Sequence, residues 1–147
     1  MTRSSDDPND LERFVTAQEA NYADAIAELR GGRKQTHWMW YVFPQVAGLG
    51  TSPMAVRYAI NSRAEAVAYL AHPVLGPRLR ECSEALLQIS GKTAREVMGQ
   101  PDDVKLQSSM TLFAALSPTG APFAKVLERY YGGATDPRTI EFLAGQK

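Results

Sequence analysis

Cysteine, histidine and charge imbalance are all scarce in this sequence, and each shortage closes off a class of function. The single cysteine, Cys82, can form neither an internal disulfide nor a cysteine-based zinc site. His37 and His72 are the only imidazoles, too few for a dedicated transition-metal centre, so neither a metal nor a tightly held cofactor is expected. Sixteen basic residues balance sixteen acidic ones. A protein that coats nucleic acid does so by neutralising phosphate, and the basic excess this requires is missing. No run approaches the ~20 apolar residues that span a bilayer, and the polar first ten residues lack the apolar stretch of a signal peptide. The expectation is a cytoplasmic monomer that neither enters a membrane nor has nucleic acid as its main partner.

What is present is ordinary globular material. The 147 residues are 44% apolar and 22% charged, enough for one domain with its own core. No repeat, low-complexity tract or linker divides the chain. A polar tail, 1–9, is expected to be disordered, and 10–147 to form a single all-α domain of about seven to eight short-to-medium helices.

The helices follow from apolar spacing. Leu11, Phe14, Val15, Tyr22, Ala25, Ile26 and Leu29 recur with helical period; Asp10 is expected to cap this helix, and Gly31-Gly32 to end it. Thr36 to Phe43 is an apolar run that periodicity assigns to neither strand nor helix; helix is favoured because no other segment offers a strand to pair with it. Ser62 and Glu65 fit a capping box before a helix that His72-Pro73 stops. Stripes at Leu79, Cys82, Leu86 and Ile89, at Leu106, Met110 and Phe113, and at Phe123, Val126, Leu127 and Tyr130 give three more helices. Thr93–Met98 and Asp136-Pro137 open short ones.

Candidate chemistry concentrates in Arg30 to Tyr41, where three cations precede His37, Trp38 and Trp40. Cations beside indoles suit a ligand that is both anionic and planar, such as a nucleotide. The same residues also fit a plain structural reading, with the cations favouring the negative end of the first helix and the indoles in the core. Lys105 lies one helical turn from Ser108 and Ser109, a spacing that permits an activated hydroxyl. A buried serine bonding back to a carbonyl one turn earlier accounts for it equally well. Gly48-Leu-Gly50 lacks the remaining residues of any phosphate-loop fingerprint.

Taken together, Leu11-Glu-Arg-Phe14, Glu28-Leu-Arg-Gly-Gly32, His37-Trp-Met-Trp40, Phe43-Pro-Gln45, Gly48-Leu-Gly50, Tyr58, His72-Pro73, Leu75-Gly76 and Lys105-Leu with Ser108 to Phe113 resemble the bacterial domain-of-unknown-function family 1810. Its members sometimes carry the label calpastatin, although a calpain inhibitor would be a long disordered chain. The resemblance runs from about residue 10 to residue 143. It implies an all-helical single domain and carries no activity with it. It falls on polar and aromatic positions as well as on core spacers, which implies a shared pocket. The candidate ligand contacts are Lys34, Trp38, Trp40, Gln45, Tyr58, His72, Lys105, Ser108 and Ser109, with His37 as the acid or base. The expected function is binding, or hydrolytic or transfer chemistry, on an anionic nucleotide-like or NAD-derived molecule; the alternative is a helical protein-interaction module without catalysis.

Overall fold

The apolar stripe of the first segment winds into α1, Glu12–Arg30, burying Phe14, Val15, Ala25, Ile26 and Leu29. The structure, a computed structural model, describes residues 7–146. Of the expected tail, residues 1–6 lie outside the described residues. Asp7 is bonded to the helix start: its carboxylate accepts from the backbone N–H of Leu11 at 2.7 Å and of Glu12 at 3.0 Å. Capping therefore falls to Asp7 rather than Asp10, whose φ of 53° turns the chain into the helix.

Eight further helices follow among the described residues: α2 Met39–Val42, α3 Pro53–Arg57, α4 Arg63–Ala71, α5 Leu75–Leu87, α6 Ala94–Met98, α7 Asp102–Ala115, α8 Pro122–Tyr131 and α9 Pro137–Ala144. The domain is all-α and compact, with nine helices in place of the expected seven to eight. None is long and apolar enough to cross a membrane. α5 packs on α1, α4 and α8; α7 packs on α4, α6, α8 and α9. Their shared core holds Trp38, Tyr69, Phe43, Phe113 and Phe123.

The run Thr36–Phe43 resolves in two ways at once. Its middle is the single helical turn α2, and just beyond it the chain makes an isolated parallel bridge, Val46 with Ile60. Ala47 donates to Ile60 at 2.9 Å and Ile60 to the Gln45 carbonyl at 2.8 Å. The Gln45 backbone is thus pinned while its side chain is left to the surface. Gln18, a polar residue set in the apolar face of α1, fixes α2 from the other side by donating to the Tyr41 carbonyl at 2.7 Å and to Tyr69 Oη at 3.0 Å.

One capping expectation changes. Ser62 Oγ accepts from the Glu65 N–H at 3.0 Å, but the Glu65 carboxylate turns away to Arg13 and to the N–H of Asn61, so only half of that box forms. The complete box is Thr93 with Glu96. His72 ends α4 without its ring serving the free carbonyls there. Its Nδ1 instead accepts from Val74 at 3.0 Å and Leu75 at 3.2 Å, serving the start of α5.

Candidate functional site

The end of α1 decides where the aromatic segment goes. Gly32, at φ 81°, takes the left-handed conformation, and the chain closes with Arg33 donating to the Glu28 carbonyl and Gly32 to Leu29. This reversal carries residues 35–38 back over Glu28. Its carboxylate accepts from the N–H of Gln35 at 2.7 Å, the N–H of Thr36 at 3.0 Å, Thr36 Oγ1 at 2.6 Å and Trp38 Nε1 at 2.9 Å. Burial alone would raise this carboxyl; the Thr36 hydroxyl, the two amides and the indole outweigh it and hold it at about 2, against an ordinary 4.5.

The pH consequence has a definite sign. A carboxyl depressed by folding adds stability above its unfolded value near 4.5, and that stability drains away as pH falls from there toward 2. With the group half-exposed, the amount is about 1–2 kcal/mol. Thermal melts between those limits should show the wild type losing more stability than Glu28→Gln; equal losses would remove Glu28 from this role.

The two indoles part company here. Trp38 is fully buried and bonded to Glu28, with Lys34 Nζ 5.0 Å from its ring centroid. Trp40 is only partly buried, and Lys105 Nζ lies 5.6 Å from its ring. Trp40, Tyr58, Gln45 and Lys105 enclose a small void of about 20 Å³, room for a single water. Gln45 and Lys105 also belong to the wall of an open hollow of about 470 Å³ beside it. The remaining wall is loop 49–52, Ala55, Pro101, Val104, Ser108, Asp136 and Arg138.

Each wall residue is held for a local reason. Ser52 caps α3, accepting from Ala55 at 3.1 Å, and Gly50 fits because any Cβ there would stand 2.7 Å from that of Ala55. Asp136 caps α9 through Arg138 N–H and also accepts from Ser108 Oγ at 2.9 Å and Thr139 Oγ1 at 2.5 Å. The Arg138 guanidinium donates to the Gly48 carbonyl at 3.0 Å, latching the loop to the last helix. The Lys105 ammonium makes no hydrogen bond among the described residues and has one distant ion pair, Asp102 at 3.7 Å. The wall of the hollow therefore holds two cations, the Asp136 carboxylate, the Gln45 amide and several hydroxyls.

Of the residues expected to contact a ligand, the structure brings Trp40, Gln45, Tyr58, Lys105 and Ser108 together around the adjoining void and hollow. Lys34 is buried against Trp38 and reaches the group only through Asp102. His37 is exposed and outside both linings, and His72 is engaged at α5. Ser109 Oγ is buried with no hydrogen-bond partner, so the expected bond to a carbonyl one turn earlier is not made there; Ser108, next to it, makes one to Val104 at 3.4 Å. Burial pushes the Cys82 thiol up to about 12, in keeping with a core residue. Sequence reasoning missed Asp136 and Arg138 as wall residues. The signal available was Asp136-Pro137, read only as a cap.

Fold and site together define an all-α protein with an open hollow framed by a pinned loop and the helices α7 and α9. The chain belongs to the family described as "Protein of unknown function (DUF1810)", which matches residues 8–143. It is similar to the conserved hypothetical protein Rv1873 from Mycobacterium tuberculosis, whose crystal structure is 54% identical, covers 94% of this chain and 99% of that one, and superposes with a TM-score of 0.92. No curated protein matches the chain.

Proposed function

We propose that the protein binds a small, anionic, partly planar molecule of the nucleotide or NAD-derived class in the hollow between Gln45 and Lys105. The observation that carries this reading is the Lys105 ammonium, without a hydrogen bond among the described residues and standing between the open hollow and the Trp40 ring. Arg138 offers a second cation, the Gln45 amide a donor and an acceptor edge, and the exposed Val104 an apolar lip. The volume lies within the range of small-molecule sites. Binding is favoured over turnover. A hydrolase or transferase reading would rely on His37, which lies outside the hollow, and the carboxylate of Asp136 already accepts from Ser108 and Thr139. The exposed valines Val56, Val67 and Val104 give a protein-docking role little support, since isolated apolar side chains are normal on a surface.

A panel of adenine and nicotinamide nucleotides tests the reading by melting temperature and tryptophan emission. A ligand at a hundred times its Kd should add about 2.7 kcal/mol of stability. Lys105→Ala should abolish both responses while the unliganded melting temperature stays within about 2 °C, because a partly exposed ion pair contributes little. A panel without any response would sink the proposal.

A further inference from the structure

A carboxylate stands in the same wall as the two cations. Asp136 lines the hollow together with Lys105 and Arg138, and a negative charge there weakens the hold on any anion. Its structural duty does not call for that charge. At the start of α9 asparagine or serine would cap as well as aspartate does. The hydrogen bonds that Asp136 accepts are unevenly divided. Oδ2 takes Ser108 Oγ at 2.9 Å and Thr139 Oγ1 at 2.5 Å. Oδ1 takes, among the described residues, only the Arg138 N–H at 3.4 Å. An ionised carboxylate has room for about four hydrogen bonds, so Oδ1 keeps acceptor capacity for a donor that a ligand brings. The two hydroxyls on Oδ2 meanwhile fix the group. Ser108 ties it to α7, the helix that carries Lys105, and Thr139 ties it to α9.

We propose that Asp136 is a specificity-determining residue whose Oδ1 accepts from a sugar hydroxyl, so that the hollow selects ribonucleotides over deoxyribonucleotides. The proposal rests on reading the hollow as a nucleotide site, with the phosphate on Lys105 and Arg138. A hydroxyl is a neutral donor, and its bond to a charged acceptor belongs to the stronger kind. The carboxylate repels the phosphate of a ribonucleotide and of its deoxy counterpart equally. That repulsion therefore lowers both affinities and leaves their ratio to the hydroxyl.

Adenosine 5′-monophosphate and its 2′-deoxy and 3′-deoxy forms share base and phosphate charge and differ by one hydroxyl each. They are titrated against the intact protein by tryptophan emission at neutral pH and fixed salt. The deoxynucleotide that lacks the hydroxyl on Oδ1 should bind about tenfold more weakly than the ribonucleotide. In Asp136→Asn, which keeps a capping side chain, that difference should fall to about twofold. The deoxynucleotide should at the same time bind more tightly, because its phosphate no longer meets a like charge. A purely structural role for Asp136 would instead weaken all three ligands together. Should Asp136→Asn not fold, Asp136→Ser, also a good cap, takes its place. Equal affinity for all three nucleotides, or an undiminished preference in the variant, with Lys105→Ala still abolishing binding, overturns the role of Asp136 and leaves the anion site standing. Absence of binding by all three, or indifference to Lys105→Ala, overturns the anion site and this inference with it.

Discussion

Replacing Arg13 by alanine should lower the melting temperature by about 10 °C. The guanidinium of Arg13 holds together pieces of chain that have no other reason to meet. Its Nε donates to the Arg57 carbonyl at 2.9 Å, Nη1 to Asn9 and Asp10 at 2.8 Å each, and Nη2 to Ala59 at 2.9 Å and to the Glu65 carboxylate at 2.6 Å. Glu65 is 3% exposed. Truncating Arg13 leaves that carboxylate buried without its cation and four carbonyls without this donor, a loss of about 3–5 kcal/mol. The control is a double replacement, Arg13→Met with Glu65→Leu. Filling both positions with apolar volume should recover much of the stability, because the cost lies in an unpaired buried charge rather than in a missing attraction. A melting temperature for Arg13→Ala within about 2 °C of wild type would show the pair to be solvated in solution.

Gly76→Ala should be comparably damaging, and here the sign itself is diagnostic. In an unobstructed helix the change would stabilise by about 1 kcal/mol, alanine being the better helix former. At Gly76 an added Cβ would stand 2.2 Å from the Leu70 carbonyl oxygen and 3.2 Å from its carbon, both backbone atoms that no rotamer change can move. α4 and α5 would have to separate at the His72 corner, where the Gly76 N–H donates to the His72 carbonyl at 3.0 Å. The expected loss is about 3 kcal/mol, read as a melting temperature lower by about 6–12 °C. A variant more stable than wild type would mean that the two helices approach less closely.

The sequence discloses long features and conceals short ones for a single physical reason. α1 was legible because 19 residues give its apolar stripe several turns over which to repeat. α2 was not, because four residues contain barely one period, and the two-residue bridge beside it contains no alternation at all. Arg13 reads as an ordinary charge on a helix surface and Glu65 as half of a capping box; nothing local announces that residues 52 apart in the chain neutralise each other in near-complete burial. Glu28 was hidden for the same reason, its role depending on the reversal at Gly32. Around the hollow, Trp40, Lys105 and Ser108 were singled out by residue chemistry and helical spacing, and Gln45 and Tyr58 through family resemblance, which registers shared position without needing geometry. His37 drew attention by its chemistry alone, and its chemistry says nothing of where the ring lies.

The bond from Arg138 to Gly48 has a consequence for biosynthesis. Its partners are 90 residues apart, so it can close only when the last helix has been made. A ribosome-bound chain that has emerged only through α8 lacks both Asp136 and Arg138 and presents an unlatched loop with half a rim. The proposed ligand capacity should accordingly arise abruptly once α9 has emerged, and chain fragments ending before residue 136 should carry none of it.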